Sequence, residues 1–301
     1  MMRSLRTAAW AIVPAAALAM CGCGGGADAT TTVTYRPSRS DAAVATDAVP
    51  GAAAAASTEV AVAGGVGSIK GRVLIQGNVP PLPPLYAKGA APKDPTICGL
   101  EAAPNESIVV NDGGLANVFI YLPKPPKGYA SSPVTEPAIF DQKYCVFKPH
   151  ALVVRTGQPL SILNDDPALH NTHTYPSRNT GFNQGIQAND RTGVKLVYTK
   201  PEAKPLQVGC DVHNWMTAYH LPVDHPFAVV SGPDGSFEIK DLPAGKHDFK
   251  VWHEKALELE KAFSITVKAG ETVEIDIPVA ASKLAGFQAA PSKIIQLSST
   301  R

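Results

Sequence analysis

Charge of one sign is what this sequence has least of. Lys and Arg together number 27 against 26 Asp plus Glu in 301 residues, for a formal net charge of +1. No basic or acidic excess points to nucleic acid or to steering toward a charged surface, so nucleic acid is set aside as a partner. Long apolar stretches of 3.6-residue period are scarce as well, while 27 prolines and 25 glycines punctuate the chain. Short strands joined by turns are therefore expected almost throughout, an all-β chain with room for two compact units. No phosphate-binding loop, Ser-His-Asp order or paired-acid site stands out, which removes the commonest signatures of hydrolases and nucleotide enzymes. Cysteine is sparse, at five residues, and each one needs a reason.

The first two cysteines belong to the N-terminus. Arg3 and Arg6 precede an apolar run from Ala8 to Met20, the layout of a secretory signal and too short a run to span a bilayer. Cys21-Gly22-Cys23 follows and resembles a bacterial lipoprotein box. Leu18 and Ala19 suit Cys21 as the lipid-modified residue, although Met20 is bulky before the cut; Gly22 suits Cys23. The alternative is an ordinary cleaved signal in which both cysteines are incidental. Either way the mature chain is expected outside the cytoplasm, in the periplasm or cell envelope, and a lipid would anchor it to a membrane. After residues 1–23, residues 24–66 are rich in Ala, Thr, Val, Ser and Asp with few aromatics, a composition that reads as a flexible tether.

Order is expected from residue 67. A segment over 67–137 opens with a strand through Ile69, Val73 and Ile75, enters the proline-rich loop after Val79, and then forms a hairpin around Asn111-Asp112-Gly113-Gly114. A second block, 138–225, has strands at Leu152–Arg155, Pro159–Leu163, Val194–Tyr198 and Leu206–Gly209, framing loops that hold most of the histidines. A third, 226–282, carries Asp234-Gly235-Ser236-Phe237 and Leu242-Pro243-Ala244-Gly245. Those two signatures resemble the carboxypeptidase-regulatory or transthyretin-like β-sandwich. Gly71-Arg72-Val73 resembles the first strand of such modules, so that sandwich is open to assembly from both ends of the chain. Beyond Pro278, and through the tail 283–301, no strand alternation is evident and a loosely packed terminus is expected.

The chemistry concentrates in Leu206–Met216, where Cys210, His213 and Met216 follow a predicted strand at Cys-x2-His-x2-Met spacing. Alone, a cysteine is usually a small buried hydrophobe and a methionine core filler. Crowded together, a thiolate, an imidazole and a thioether are three of the four donors of a mononuclear copper site, because soft sulfur stabilises Cu(I) while imidazole serves both oxidation states. His170 is the candidate for the second imidazole. It lies in Leu163-Asn164-Asp165-Asp166-Pro167-Ala168-Leu169-His170-Asn171, read as a strand end followed by a turn. Zinc also suits Cys and His, but a thioether donor argues for copper. A dinuclear copper loop would need a second cysteine.

Together these residues resemble the cupredoxins, amicyanin and plastocyanin-like members above all, over roughly 138–223. The resemblance implies a Greek-key cupredoxin-like β-sandwich beside the second, Ig- or transthyretin-like unit. It makes Cys210 the thiolate ligand, His170 and His213 the equatorial imidazoles, Met216 the axial ligand, and Asn171 a brace for the ligand loop. Gly209 and Asp211 depart from the family, which more often has an aromatic residue before the cysteine and a small hydroxyl residue after it. Trp215 is expected to shield the metal or to mark a docking face, its plainer role being a core aromatic.

Cys98 and Cys145 are the remaining cysteines of the folded part, and in an oxidising compartment two spare thiols are expected to pair; two separate buried thiols are the alternative. His150 and His173 are read as structural ahead of metal or proton-handling roles, and His220, His225, His247 and His253 form no spacing that demands a second metal. The leading expectation is a copper-dependent single-electron carrier, not an enzyme, with His213 as the exposed edge for transfer and redox proteins as donor and acceptor. The resemblance suggests periplasmic redox chains, including those of methylamine-utilisation type. The rivals are a cell-surface module binding carbohydrate or protein, in which the metal is structural or absent, and a subunit of a copper oxidase or reductase.

Overall fold

A computed structural model describes residues 64–285. The export segment, Cys21, Cys23, the tether up to residue 63 and the tail beyond residue 285 lie outside the described residues.

Residues 138–223 fold as two facing sheets. The first has the order Asn183–Ile186, His170–Tyr175, Leu206–Gly209, Thr217–Val223, Ala151–Arg155; the second has Val194–Val197, Pro159–Ile162, Ala138–Lys143, Val146–Lys148. The chain crosses repeatedly between the sheets. This brings Tyr219–Val223 parallel to Ala151–Arg155 and Ala138–Phe140 parallel to Leu160–Ile162, within otherwise antiparallel pairings. Side chains alternate as a half-buried strand requires: Leu206 and Val208 face inward while Gln207 faces out. Phe140, Phe147, Leu160, Ile162 and Val208 fill the core, each worth about 1.5–3 kcal/mol of burial. The result is an all-β fold in which these two sheets form a sandwich.

Two strands of this sandwich, His170–Tyr175 and Thr217–Val223, were not evident in the sequence. The first opens with five polar residues, and four of them, His170, Asn171, Thr172 and Thr174, are buried, so no apolar alternation marks it. His170 therefore begins an interior strand of the sheet and not a turn.

A second sandwich is built from both ends of the described chain. Val66–Gln76 pairs antiparallel with Ser236–Pro243, and parallel with Thr272–Glu274 and Ile277–Ala280. Its facing sheet runs Ala228–Val230, Phe119–Tyr121, Gly245–His253, Leu257–Val267. Residues 66–121 thus give their strands to this sandwich instead of standing as a separate segment. Gly71 shows why its position carries no side chain: a Cβ there would lie 1.8 Å from the carbonyl oxygen of Ile275. The Arg72 guanidinium donates to the carbonyl oxygens of Asp234 and Asp112, tying the two Asp-Gly turns together.

The last described residues are better packed than their sequence suggested. Ile277–Ala280 lies along Val73–Gln76, and Leu284 is 0% exposed. Pro278 obscured the strand, but this strand pairs with a single neighbour and so occupies an edge, where a missing N–H is tolerated. Phe119, Tyr121 and Trp252 of the second sandwich pack against Ala151, Leu221 and Val223 of the first. Beside this contact His150 Nε2 lies 2.6 Å from Glu254 Oε1, both residues buried.

Candidate metal centre

Cys210 directly follows the strand Leu206–Gly209, and Met216 directly precedes the antiparallel strand Thr217–Val223, so the ligand loop is the connection of a hairpin. The loop closes on itself, with Cys210 N donating to Met216 O at 3.3 Å and Met216 N to His213 O at 2.9 Å. The strand His170–Tyr175 flanks Leu206–Gly209 on its other side, with His173 opposite Gly209. Sheet order therefore places His170 beside a loop about 40 residues away in sequence. One ligand atom each from His170, Cys210 and His213 lies within 4.8 Å of the others, and all three residues are buried. The two Nδ1 atoms approach to 2.9 Å. Met216 is buried in the same core cluster.

Each imidazole is held from behind by a carboxylate. His170 Nε2 lies 2.9 Å from Asp166 Oδ2, and His213 Nε2 lies 2.8 Å from Asp94 Oδ2. With each Nε2 held outward on a carboxylate, the Nδ1 of each ring turns to the interior, the arrangement that orients a metal-ligating histidine. Burial opposes charge on His170, but hydrogen bonds to Asp166 and Cys210 outweigh it and hold its pKa above the ordinary value. Burial likewise opposes a Cys210 thiolate. Hydrogen bonds from His170 and His213, together with backbone N–H groups of Asn171 at 3.5 Å and His213 at 3.4 Å, bring the thiol down to about 6. A thiolate and two inward-facing imidazole nitrogens in a buried cluster fit copper, and a buried methionine in the same loop supplies a soft fourth donor.

Asn171 connects the second strand to the loop. Its Oδ1 accepts from Asp211 N at 2.6 Å and Val212 N at 3.3 Å, and its Nδ2 donates to Asn183 Oδ1 at 2.8 Å and Asp211 Oδ2 at 2.9 Å. Asp211 thereby joins a polar cluster that also includes His173 Nδ1 at 3.1 Å. Gly209 lies beside the Tyr175 ring of the neighbouring strand, where a Cβ would make ordinary contact at 3.8 Å. Tyr175, Gly209, Cys210, Asp211 and Met216 line an open pocket of about 520 Å³.

The expectation that His213 offers an exposed edge is corrected. His213 is 0% exposed, because the segment after the proline-rich loop folds over it. Asp94 binds its Nε2, and the Trp215 ring lies 5.1 Å from it. Tyr86 packs edge-on against Trp215 at 5.2 Å, and Trp215 Nε1 donates to Cys145 O at 3.1 Å. Trp215 therefore belongs to this cover. Cys98 and Cys145 form a disulfide that clamps the cover to the sandwich. Cys145 sits in the tight turn between Ala138–Lys143 and Val146–Lys148, with Tyr144 and Cys145 at φ 55° and 54°. Residues other than glycine pay roughly 1 kcal/mol or more for that conformation. The Asp166 carboxylate stabilises the turn by accepting from both N–H groups, at 2.6 and 2.8 Å.

The other histidines lie elsewhere. His220 is buried with Nδ1 3.0 Å from Tyr198 OH, His225 stacks on Phe227, and His247 Nε2 donates to Pro243 O at 2.6 Å. Asp94 and Asp166 are the site residues missed in the sequence. Asp166 had one local signal, an acid four residues before a candidate ligand; Asp94 had none.

No family model matches the chain, and no curated protein matches it. Among solved structures, a copper-containing nitrite reductase from Thermus scotoductus SA-01 matches at 15% identity and TM-score 0.27, over 33% of this chain and 25% of that one. The chain thus spans a quarter of that enzyme. A purple cupredoxin from Nitrosopumilus maritimus matches at 16% identity and TM-score 0.24, over 29% of this chain and 99% of its own. A reduced amicyanin variant matches at 14% identity and TM-score 0.26, over 35% and 98%. Likeness at this level carries no weight beside the side-chain geometry, on which the chemistry rests.

Proposed function

We propose that the chain is an exported mononuclear copper protein that carries single electrons between redox proteins. The observation behind this reading is the convergence of His170, Cys210 and His213 within 4.8 Å in a buried cluster, with Met216 buried in the same loop. His170, Cys210, His213 and Met216 would hold the ion, which when bound supplies a Cu(II)/Cu(I) couple. The two carboxylates orient the imidazoles, and Asn171 fixes the loop. A ligand set so fastened to two strands and a cover changes little between oxidation states, and four protein donors leave no position for a substrate. Those features favour a carrier over an enzyme. The donor and acceptor are redox proteins. The second sandwich, read as carboxypeptidase-regulatory or transthyretin-like, is a scaffold against which the copper unit packs, and the N-terminal signal with Cys21 or Cys23 lipidated would place the whole in the periplasm, held to a membrane.

The test is the visible and electron paramagnetic resonance spectrum of the Cu(II)-loaded full chain beside Cys210→Ser. An intense thiolate-to-copper band that vanishes in the variant is expected. A colourless loaded protein would overturn the reading.

A further inference from the structure

The two sandwiches meet across an apolar contact with charge at its margin. Trp252 of the second sandwich lies edge-on to Phe119 at 5.7 Å and against the Tyr219 ring of the first at 5.3 Å. His150 leads into the strand Ala151–Arg155 of the first sandwich, and Glu254 follows the strand Gly245–His253 of the second. Their side chains are 8% and 7% exposed, and Nε2 lies 2.6 Å from Oε1. Tyr219 N also donates to His150 O at 2.8 Å, and the imidazole is hydrogen-bonded to the Thr217 backbone. His150 therefore ties Glu254 to the hairpin strand Thr217–Val223.

We propose that His150 and Glu254 form a proton-operated latch between the two sandwiches, shut while the imidazole is charged and released when it gives its proton to solvent. The charged ring has two N–H donors, one for Glu254 and one for the Thr217 carbonyl. The neutral ring has one, so one of the two bonds is lost. Glu254 is then a buried carboxylate short of a partner, a state that favours opening of the contact to water.

The surroundings set the direction. Burial opposes charge on His150, but the hydrogen bond to Glu254, the fields of Glu254 and Glu106 and the Thr217 carbonyl outweigh it and hold its pKa above the ordinary value. The stabilisation is thus complete below the unfolded value of about 6.5 and is lost as pH rises through the higher folded one. Lys148 acts on Glu106, whose carboxyl burial pushes up, and Lys255 Nζ stands 3.8 Å from the other oxygen of Glu254. His253, next to Glu254, is buried with Nε2 unpartnered, and burial lowers it to about 4, so it stays neutral while the latch works. Burial likewise keeps the Tyr219 hydroxyl, which is bonded to Glu254, protonated.

The test is hydrogen exchange of the metal-free full chain at about pH 6 and about pH 9, each rate divided by its intrinsic rate. Without metal the outcome is independent of the electron-carrier reading. Junction amides, in Phe119–Tyr121 and 249–254, are expected to exchange about 10-fold faster at the higher pH. Those of Val66–Gln76, whose Ile69 and Val73 pack in the separate core of the second sandwich, should not change. His150→Gln and Glu254→Gln should exchange fast at both pH values, and Glu106→Gln should keep the step at a lower midpoint. Equal junction rates in the parent would overturn the proposal, and that comparison needs no variant to fold. A step that survives in His150→Gln would also overturn it, as would an equal step in Val66–Gln76, which would mark a loss of stability throughout the chain.

Discussion

Asp166 joins His170 to the turn that carries Cys145: its Oδ2 lies 2.9 Å from His170 Nε2 and 2.8 Å from Cys145 N, while Oδ1 accepts from Tyr144 N at 2.6 Å. One carboxylate thus orients a candidate metal ligand and satisfies two backbone donors in a strained turn. Asp166→Asn keeps an acceptor but loses the charge and one oxygen, and should weaken Cu(II) binding by about 10–100-fold. Asp166→Ala should in addition destabilise the metal-free chain by roughly 2–4 kcal/mol, since Cys145 N is left buried without a partner. Chelator competition reads the first effect and urea unfolding the second. Unchanged affinity in Asp166→Asn would show that the carboxylate does not tune the ligand.

Asn171 makes four hydrogen bonds, three that bind its strand to the ligand loop and one to Asn183 of the neighbouring strand. Asn171→Ala removes them while leaving its own backbone N–H in place, so the loop is expected to loosen around Cys210. The predicted result is a loss of roughly 1–3 kcal/mol in stability and a rise of the Cys210 thiol from about 6 toward its ordinary value. Alkylation rate against pH in the metal-free chain measures the thiol; an unmoved midpoint would show that Asn171 does not brace the site.

The loop Cys210-x2-His213-x2-Met216 was legible because its three donors are nearly consecutive, so sequence spacing and spatial arrangement coincide. His170 followed from the demand for a second imidazole. The cover was not legible, because Asp94 is separated from His213 by 119 residues and sits in a proline-rich stretch with no periodicity. The turn at Tyr144–Cys145 was hidden for a related reason: its left-handed backbone is imposed by the Asp166 carboxylate and not by Gly or Asn, the residues that announce such turns. The hairpin at Asp112-Gly113 carries the usual signal and was found. What the sequence concealed was tertiary support for locally unfavourable conformations.

Three histidines are kept neutral by burial, which lowers His220 to about 3, and His225 and His253 to about 4. The unfolded chain protonates each near pH 6.5, so stability should fall as pH drops below 6.5 toward those folded values. His150 and His170, raised in the folded chain, are charged in both states below that pH and add no slope there. Glu106, raised chiefly by burial, opposes the trend by up to one proton. A net slope of about two protons, near 3 kcal/mol per pH unit, is expected for the metal-free chain between pH 6 and 4.5. His220→Gln should lower the slope by about one proton; an unchanged slope would show that His220 titrates normally.

The cover over His213 is fastened twice, by the Asp94 carboxylate and by the Cys98–Cys145 bridge, and the two fastenings should separate by experiment. The bridge spans 47 residues of sequence, so replacing both cysteines by serine should cost about 4 kcal/mol through the freed entropy of the unfolded chain. Asp94→Asn tests the other fastening. Asparagine tolerates the left-handed backbone at position 94, where φ is 48°, and the side chain is partly exposed, so urea stability should change by less than about 1 kcal/mol. Its loss of charge should nevertheless weaken Cu(II) binding by about 10-fold, because the His213 ring loses the group that fixes its tautomer. A cysteine-free cover that melts like the parent, or an Asp94→Asn chain that binds copper as tightly, would show that the cover rests on Tyr86 and Trp215 packing instead.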